Sequence, residues 1–373
     1  RYSCIERKVG QKEKDGSEKA QPALEKERVR LVQAKVWEQD RPQLWSRVSA
    51  IARKQGVKAY IGDILPLVTE KHSELKDNDP KKQYKGRIVY RGDDIRDENW
   101  DIGLFGEVAS APSSMAAAKV ADAHGSFPGH ITQYSDAVMA YTQSDLGGDP
   151  CYVRLRKKWW PQSWHDLQKQ TGCSDRDLCC KLNKALYGHP DSGGYWERHC
   201  RDIVINKCKD PAGKGFVEIP NWPNVYFHSA KNLLLVVYVD DFKMSGPPEA
   251  VAWGWSVLKK HIEMDPPTPD FADGGDTVAS VAKSGEKSAR YLGCQHIAQT
   301  VSADSKLARK LLEETAYVRV QLPDKPMEVH EELPKIKDAV NKQLNIVKYD
   351  MSGALSGAVD KYMAIAPAGT KLK

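Results

Sequence analysis

The segment NLLLVVYVDDFKMSG, residues 232–246, runs five Leu and Val residues straight into Tyr238-Val239-Asp240-Asp241. An apolar run of that length reads as a strand fit for burial. Two adjacent carboxylates at its end repel each other and are unfavourable to desolvate, unless a cation offsets both effects. Carboxylate oxygens are the ligands that Mg2+ and Mn2+ prefer. Two such ions can activate a hydroxyl and stabilise a leaving pyrophosphate, with acidic ligands drawn from neighbouring strands. A third carboxylate is then expected elsewhere. Asp136, in the mixed apolar segment YSDAVMAY (134–141), is the best candidate for an adjoining strand. In isolation an Asp pair after a strand is also a common turn signal, and Asp136 read alone also fits a helix cap.

The rest of the chain bounds the answer. Its 373 residues suggest two or three domains, or one domain with large appendages. With 40% hydrophobic and 28% charged residues it is a folded chain. No run of about 18 apolar residues is present, so no membrane span is expected. The opening RYSCIERKVGQKEKDG has no apolar core and is not a secretory signal, which points to an intracellular protein, cytoplasmic or nuclear. It begins with Arg1 rather than Met, so a piece of a longer polyprotein is expected. A net charge of +6 leans modestly toward polyanionic partners. The eight cysteines form no CxxC pair and read as reduced thiols. A zinc site from Cys173, Cys179 and Cys180 lacks the usual ligand spacing.

Residues 1–22 are rich in Lys, Glu and Gly and are expected to be disordered. Val29, Val32 and Val36, then Trp45, Val48 and Ile51, recur at helical spacing, so residues 23–80 are expected to form a helical appendage. YKGRIVYRG (84–92) reads as a strand carrying Lys85, Arg87 and Arg91 on one face. That pattern fits a charge-protected edge as well as a phosphate-facing strand. A helix is expected after Pro112, capped by Ser113 or Ser114. The Trp residues 159, 160 and 164 are expected to pack more readily than to stack on bases. Farther on, 249–264 reads as a helix, 289–301 as a strand or hairpin, and 305–318 and 333–349 as amphipathic helices. The last carries Ile336, Val340, Leu344 and Val347 on one stripe.

Several of these segments together resemble the reverse transcriptases of copia-type LTR retrotransposons. Tyr-Val-Asp-Asp resembles the catalytic box. LNKALYGHPDSGGYW (182–196), QYSDAVMAYTQSDLGG (133–148) and YKGRIVYRG (84–92) stand upstream in the order of that family. YVRLRKKWWPQSW (152–164) resembles the stretch after the first catalytic Asp, and YLGCQH (291–296) the primer-grip hairpin. The resemblance covers roughly residues 84–300. It departs from the family at Gly193, where a Pro is usual, with Pro190 three places earlier.

The resemblance implies an α+β, right-hand polymerase fold. Its palm would be an antiparallel sheet with helices on one face, with fingers and helical flanks, over 81–300. Residues 301–373 would form a helical thumb-like or connection-like tail. It implies an RNA-directed DNA polymerase that transfers nucleotides from a dNTP to a primer on an RNA or DNA template. Two Mg2+ or Mn2+ ions would serve one site. Asp136, Asp240 and Asp241 would be the catalytic carboxylates and metal ligands. Tyr141 would be the steric gate against a ribose 2′-hydroxyl. Lys85 or Arg87 would hold the triphosphate, and Gly188 and Ser192 would lie under the nascent base pair. Tyr238 would touch the primer end, and Tyr291, Leu292 and Gly293 would form the primer grip. Partner segments such as ribonuclease H and integrase are not visible in the chain. Two rivals stand beside this reading: a decayed or domesticated remnant that binds nucleic acid without polymerising, and a structural subunit that keeps only the fold.

Overall fold

The computed structural model describes residues 7–73, 79–80, 82–106, 112–268, 287–291, 294–302, 343–350, 359 and 363. The chain divides into two compact units, residues 1–125 with 129–267, and residues 126–128 with 268–373. Among the described residues are seven α-helices and fifteen β-strands, an α+β content.

The first unit holds two sheets. The larger has seven strands: β1 (Arg7–Lys8), β2 (Gln43–Leu44), β3 (Tyr60–Lys71), β4 (Gln83–Tyr90), β5 (Arg96–Asp97), β7 (Cys151–Arg154) and β8 (Leu178–Lys181). The long β3 is its spine. It pairs antiparallel with β1, β4 and β5, and parallel with β7 from Tyr60↔Cys151 to Asp63↔Arg154. Helices α1 (Gln11–Gly16), α2 (Ala20–Gln33), α3 (Trp45–Gln55) and α5 (Gln162–Thr171) belong to this half. Helix α2 lies so close to β4 that a Cβ on Gly86 would meet the Ala23 carbonyl oxygen at 2.5 Å. Leu24 and Leu31 on α2 share one core with Ile88, Tyr90 and Trp164.

The smaller sheet is antiparallel throughout. Its order is β6 (Ile131–Asp136), β12 (Asp241–Gly246), β11 (Leu233–Tyr238), β10 (Val225–His228) and β9 (Val217–Glu218). Leu233, Leu235 and Val237 point to a core shared with α6 (Ser192–Asp202) and α7 (Pro248–Leu258), where Trp196, Val251 and Trp255 meet them. Leu234 and Val236 point the other way, onto Ala117 and Ala121 of α4 (Met115–Gly125). Helices therefore cover both faces rather than the one expected. That is why the central strand is an unbroken apolar run and not an alternating one. Each such side chain contributes about 1.5–3 kcal/mol of burial.

Neighbouring β12 is polar on its α4 face, and α4 answers it. The fully buried Lys243 sets its Nζ 2.5 Å from Asp122 Oδ1 and donates to the Ala118 carbonyl at 2.9 Å. Tyr134 donates to Asp122 at 3.2 Å, and Ser245 Oγ lies 3.0 Å from His124 Nδ1.

The second unit contributes one described sheet, β13 (Lys287–Tyr291), β14 (Cys294–Ser302) and β15 (Gln343–Asp350), all antiparallel. No helix among the described residues is long and apolar enough to cross a membrane.

Four expectations change. Residues 7–22 are ordered: β1 joins the sheet, and Arg7 bridges Glu13 and Glu70. Residues 23–80 are not a helical appendage, because 60–71 supply the spine of the larger sheet. Within them the exposed Val29 and Ile51 give way to Leu24, Leu31 and Trp45 as core residues. Residues 343–350 form a strand, consistent with the β-branched and aromatic side chains of Ile346, Val347 and Tyr349. Ile336, Val340 and the expected helix at 305–318 lie outside the described residues.

Candidate active site

The β11–β12 hairpin closes at Tyr238↔Asp241, which leaves Val239 and Asp240 as its two-residue loop. Such loops place positive φ at the first position, a place suited to glycine. Here Val239 takes it, at φ 56°. A β-branched residue in that region carries strain of about 1–3 kcal/mol. Two hydrogen bonds hold the loop in place. Trp196 Nε1 donates to the Val239 carbonyl at 2.7 Å, and the Ala137 amide donates to the Asp240 carbonyl at 2.7 Å.

The register of β6 on β12 then sets Asp136 directly opposite Asp241. The two carboxyls share a hydrogen bond. Desolvation first, then the charges of Asp136 and Asp240, push Asp241 up to about 7. Asp136 is also raised, by desolvation and by Asp240 and Asp265, although solvent still reaches it. Lys85 opposes that rise from β4, so its charge acts at the carboxylates. Near neutral pH Asp241 is therefore partly protonated, and a divalent cation bound there would displace that proton. The donor set is hard oxygen, which fits Mg2+ or Mn2+. Asp136 and Asp241 on the strands and Asp240 on the loop are the residues that would hold the ions. Among the described residues, no three acidic, His or Cys side chains converge as a ready-made cage.

Aromatic residues line the approach. Tyr141 lies on the short 3-10 turn Ala140–Gln143, five residues after Asp136. Its ring centroid is 4.8 Å from that of Tyr187, and the Arg87 guanidinium lies 5.3 Å from the Tyr187 ring. Burial, then the charge of Asp240, raises the Tyr141 hydroxyl pKa. Arg87, Tyr187 and Tyr141 thus form a continuous series from β4 toward Asp240.

Gly188 adopts φ 86°, and a Cβ there would meet the Tyr90 carbonyl oxygen at 2.2 Å. This close approach fixes the loop against the end of β4. Ser192 departs from its expected role. It is buried, and its hydroxyl donates to the Leu186 carbonyl at 2.7 Å, so it shapes the loop from within. Tyr238 is half-buried beside Asp241. Tyr291 ends β13 in the second unit, while Leu292 and Gly293 lie outside the described residues.

Three residues escaped the sequence reading as site members. Trp196 was visible only as an aromatic in a glycine-rich loop. Tyr187 was quoted in its box without a role. Asp265 is brought in by backbone pairing, its amide donating to the Asp136 carbonyl at 2.9 Å. No local pattern signals a contact between residues so distant in sequence.

No protein-family model matches the chain. The Transposon Ty1-BL Gag-Pol polyprotein of Saccharomyces cerevisiae is 24% identical over 209 residues, covering 51% of this chain and 10% of that polyprotein. The truncated transposon Ty1-A Gag-Pol polyprotein of the same yeast is 23% identical over 209 residues, covering 51% of this chain and 15% of its own length. The chain therefore spans only a small part of these relatives. Among solved structures, a telomerase from Candida albicans in complex with a fragment of telomeric RNA aligns at TM-score 0.32 and 9% identity, covering 74% of this chain and 48% of that one. That likeness is too low to define a shared fold.

Proposed function

We propose that the chain is the reverse-transcriptase segment of a retrotransposon Pol polyprotein. In this reading it adds deoxynucleotides to a primer 3′-end on an RNA or DNA template. The observation that carries the reading is Asp136 facing Asp241 across two hydrogen-bonded strands, beside the strained Val239–Asp240 loop. The similarity to the yeast Gag-Pol polyproteins supports a retrotransposon Pol origin.

The five-stranded sheet then acts as the palm and the seven-stranded sheet as the fingers. Bound divalent ions would supply Lewis acidity to the primer hydroxyl and charge neutralisation to the triphosphate. The protein's share is positioning and electrostatics. Asp136, Asp240 and Asp241 would hold the ions, with Asp240 reaching them from the hairpin loop. Lys85 and Arg87 attract the triphosphate from β4. Tyr141, braced by Tyr187, limits the space beside the sugar. Gly188 keeps the backbone close under the nascent pair.

Primer extension on an RNA template with dNTPs and Mg2+ tests this reading, with Asp136→Asn as the control. Extension by the parent and none by the variant is expected. Salt-sensitive primer–template binding without extension by either protein would favour the remnant. No salt-sensitive binding at all would favour a purely structural role.

A further inference from the structure

The β11–β12 loop is held at both of its carbonyls, and only one of the two bonds comes from a side chain. That side chain is Trp196 of α6, 2% exposed and part of the core that α6 and α7 build on the smaller sheet. A buried indole N–H needs an acceptor. Here the acceptor is the carbonyl of Val239, the residue held at positive φ. Left-handed backbone is unfavourable for a β-branched residue, so the loop keeps this shape only while its surroundings impose it. Packing alone does not close this side. A cavity of about 20 Å3, room for about one water, is lined by Tyr141, Gly193, Trp196, Val237 and Val239. Glycine at 193 has no side chain to fill it.

Helix α6 is itself anchored where it begins. Ser192, one turn before Trp196, donates to the Leu186 carbonyl at 2.7 Å, and the intervening Gly188 is pressed against the Tyr90 carbonyl. Contacts therefore run from the end of β4, through the Gly188 loop and the first turn of α6, to the Val239 carbonyl. Asp240 follows directly. It is exposed, so its carboxylate stands where the loop backbone puts it. Its charge is felt by both Asp136 and Asp241.

We propose that Trp196 is the positioning residue for Asp240: its indole N–H, acting through the Val239 carbonyl, keeps the loop in the shape that brings Asp240 beside Asp136 and Asp241. This rests on the metal site of the proposed polymerase. Trp196 touches neither ion nor substrate in this role. Without the N–H the carbonyl loses its partner, the strained residue relaxes and Asp240 shifts. Asp136 and Asp241 stay, because the pairing of β6 with β12 fixes those two. The defect is then weaker metal binding rather than loss of the fold, as for other groups that orient a ligand from behind.

The test is Mn2+ binding by the whole metal-free chain near pH 7, read by calorimetry. Trp196→Phe keeps a ring and removes the donor. Trp255→Phe is the matched control. Its indole donates to Gln133 Oε1 at 2.9 Å in the same core, at the level of Met244 rather than of the loop. Trp196→Phe should bind Mn2+ about tenfold more weakly, and Trp255→Phe should match the parent. Adding Val239→Gly to Trp196→Phe should recover most of the loss, because glycine accepts positive φ without support. In primer extension the Mg2+ needed for half-maximal rate should rise by a similar factor, with the dNTP KM at saturating Mg2+ unchanged. If urea unfolding shows that the smaller ring does not fold, Trp196→Met fills the space and carries the same expectations. Unchanged Mn2+ affinity in Trp196→Phe, an equal loss in Trp255→Phe, or no recovery with Val239→Gly each overturns the inference. A parent that binds no Mn2+ overturns the metal site along with it. The expected Mn2+ results without primer extension by the parent would leave Trp196 in its role and remove the polymerase reading.

Discussion

Replacing Asp241 by Asn should make the metal-free protein more stable at pH 8 and leave it unchanged near pH 4. Asp241 titrates at about 7 in the folded chain, whereas an unfolded Asp titrates near 3.9. The folded state therefore binds the proton more tightly. Its ionisation penalty is absent below about pH 4, grows as pH rises toward 7 and is constant above that. Three pH units at about 1.4 kcal/mol each set a ceiling of roughly 4 kcal/mol. Solvent access to the neighbouring Asp136 lowers the expectation to about 2–3 kcal/mol. Asparagine keeps the contact, because its amide nitrogen can donate to Asp136. The assay is urea unfolding in a chelator, read by tryptophan fluorescence. All ten tryptophans lie in the first unit, so the signal reports that unit alone. Adding Mg2+ should stabilise the parent more than the variant. A variant less stable than the parent at pH 8, or a difference independent of pH, would refute the electrostatic account.

Other outcomes follow from the same geometry. Val239→Gly should stabilise the metal-free fold by about 0.5–1 kcal/mol in the same assay, since relief at φ 56° exceeds the entropy added to the unfolded chain; a loss of stability would mean the loop is not strained. Lys243→Met should destabilise by about 3–5 kcal/mol by taking away the cation 2.5 Å from the buried Asp122 carboxylate, and Lys243→Met with Asp122→Leu should recover most of it. Failure of the double variant to recover would assign Lys243 more than a local pairing role. Tyr141→Ala should raise ribonucleotide incorporation relative to deoxynucleotide in a primer-extension assay; unaltered sugar selection would remove Tyr141 as the gate.

Much of the smaller sheet was legible because its signals are local. The run at 233–237 is a strand on composition alone, and the carboxylates at its end demand a reason. Pairing of β6 with β12 followed from the need for a third carboxylate. What stayed hidden depends on distant contacts. Coverage of both faces needs α4, whose alanines look too bland to mark a core helix. Arg7 and the strand around it read as disordered because their partners, Glu13 and Glu70, lie elsewhere in the chain. Ser192 sits in a loop whose sequence suggests exposure, yet the Leu186 carbonyl draws it inward. Lys243 in the quoted segment gave no sign of full burial, since a buried lysine is rare without a partner such as Asp122. The helical spacing that suggested a helix through 347 competed with a β-branched run, and sheet pairing prevailed.

The central claim is that Asp136 and Asp241 share a proton until a divalent cation takes its place. The direct measurement is Mn2+ binding by calorimetry near pH 7, repeated in buffers of different ionisation enthalpy to count protons released. The account predicts binding with release of a proton fraction that falls as pH rises above 7, and both signals lost in Asp136→Asn. Mn2+ binding without proton release, or equal binding by the variant, would contradict it.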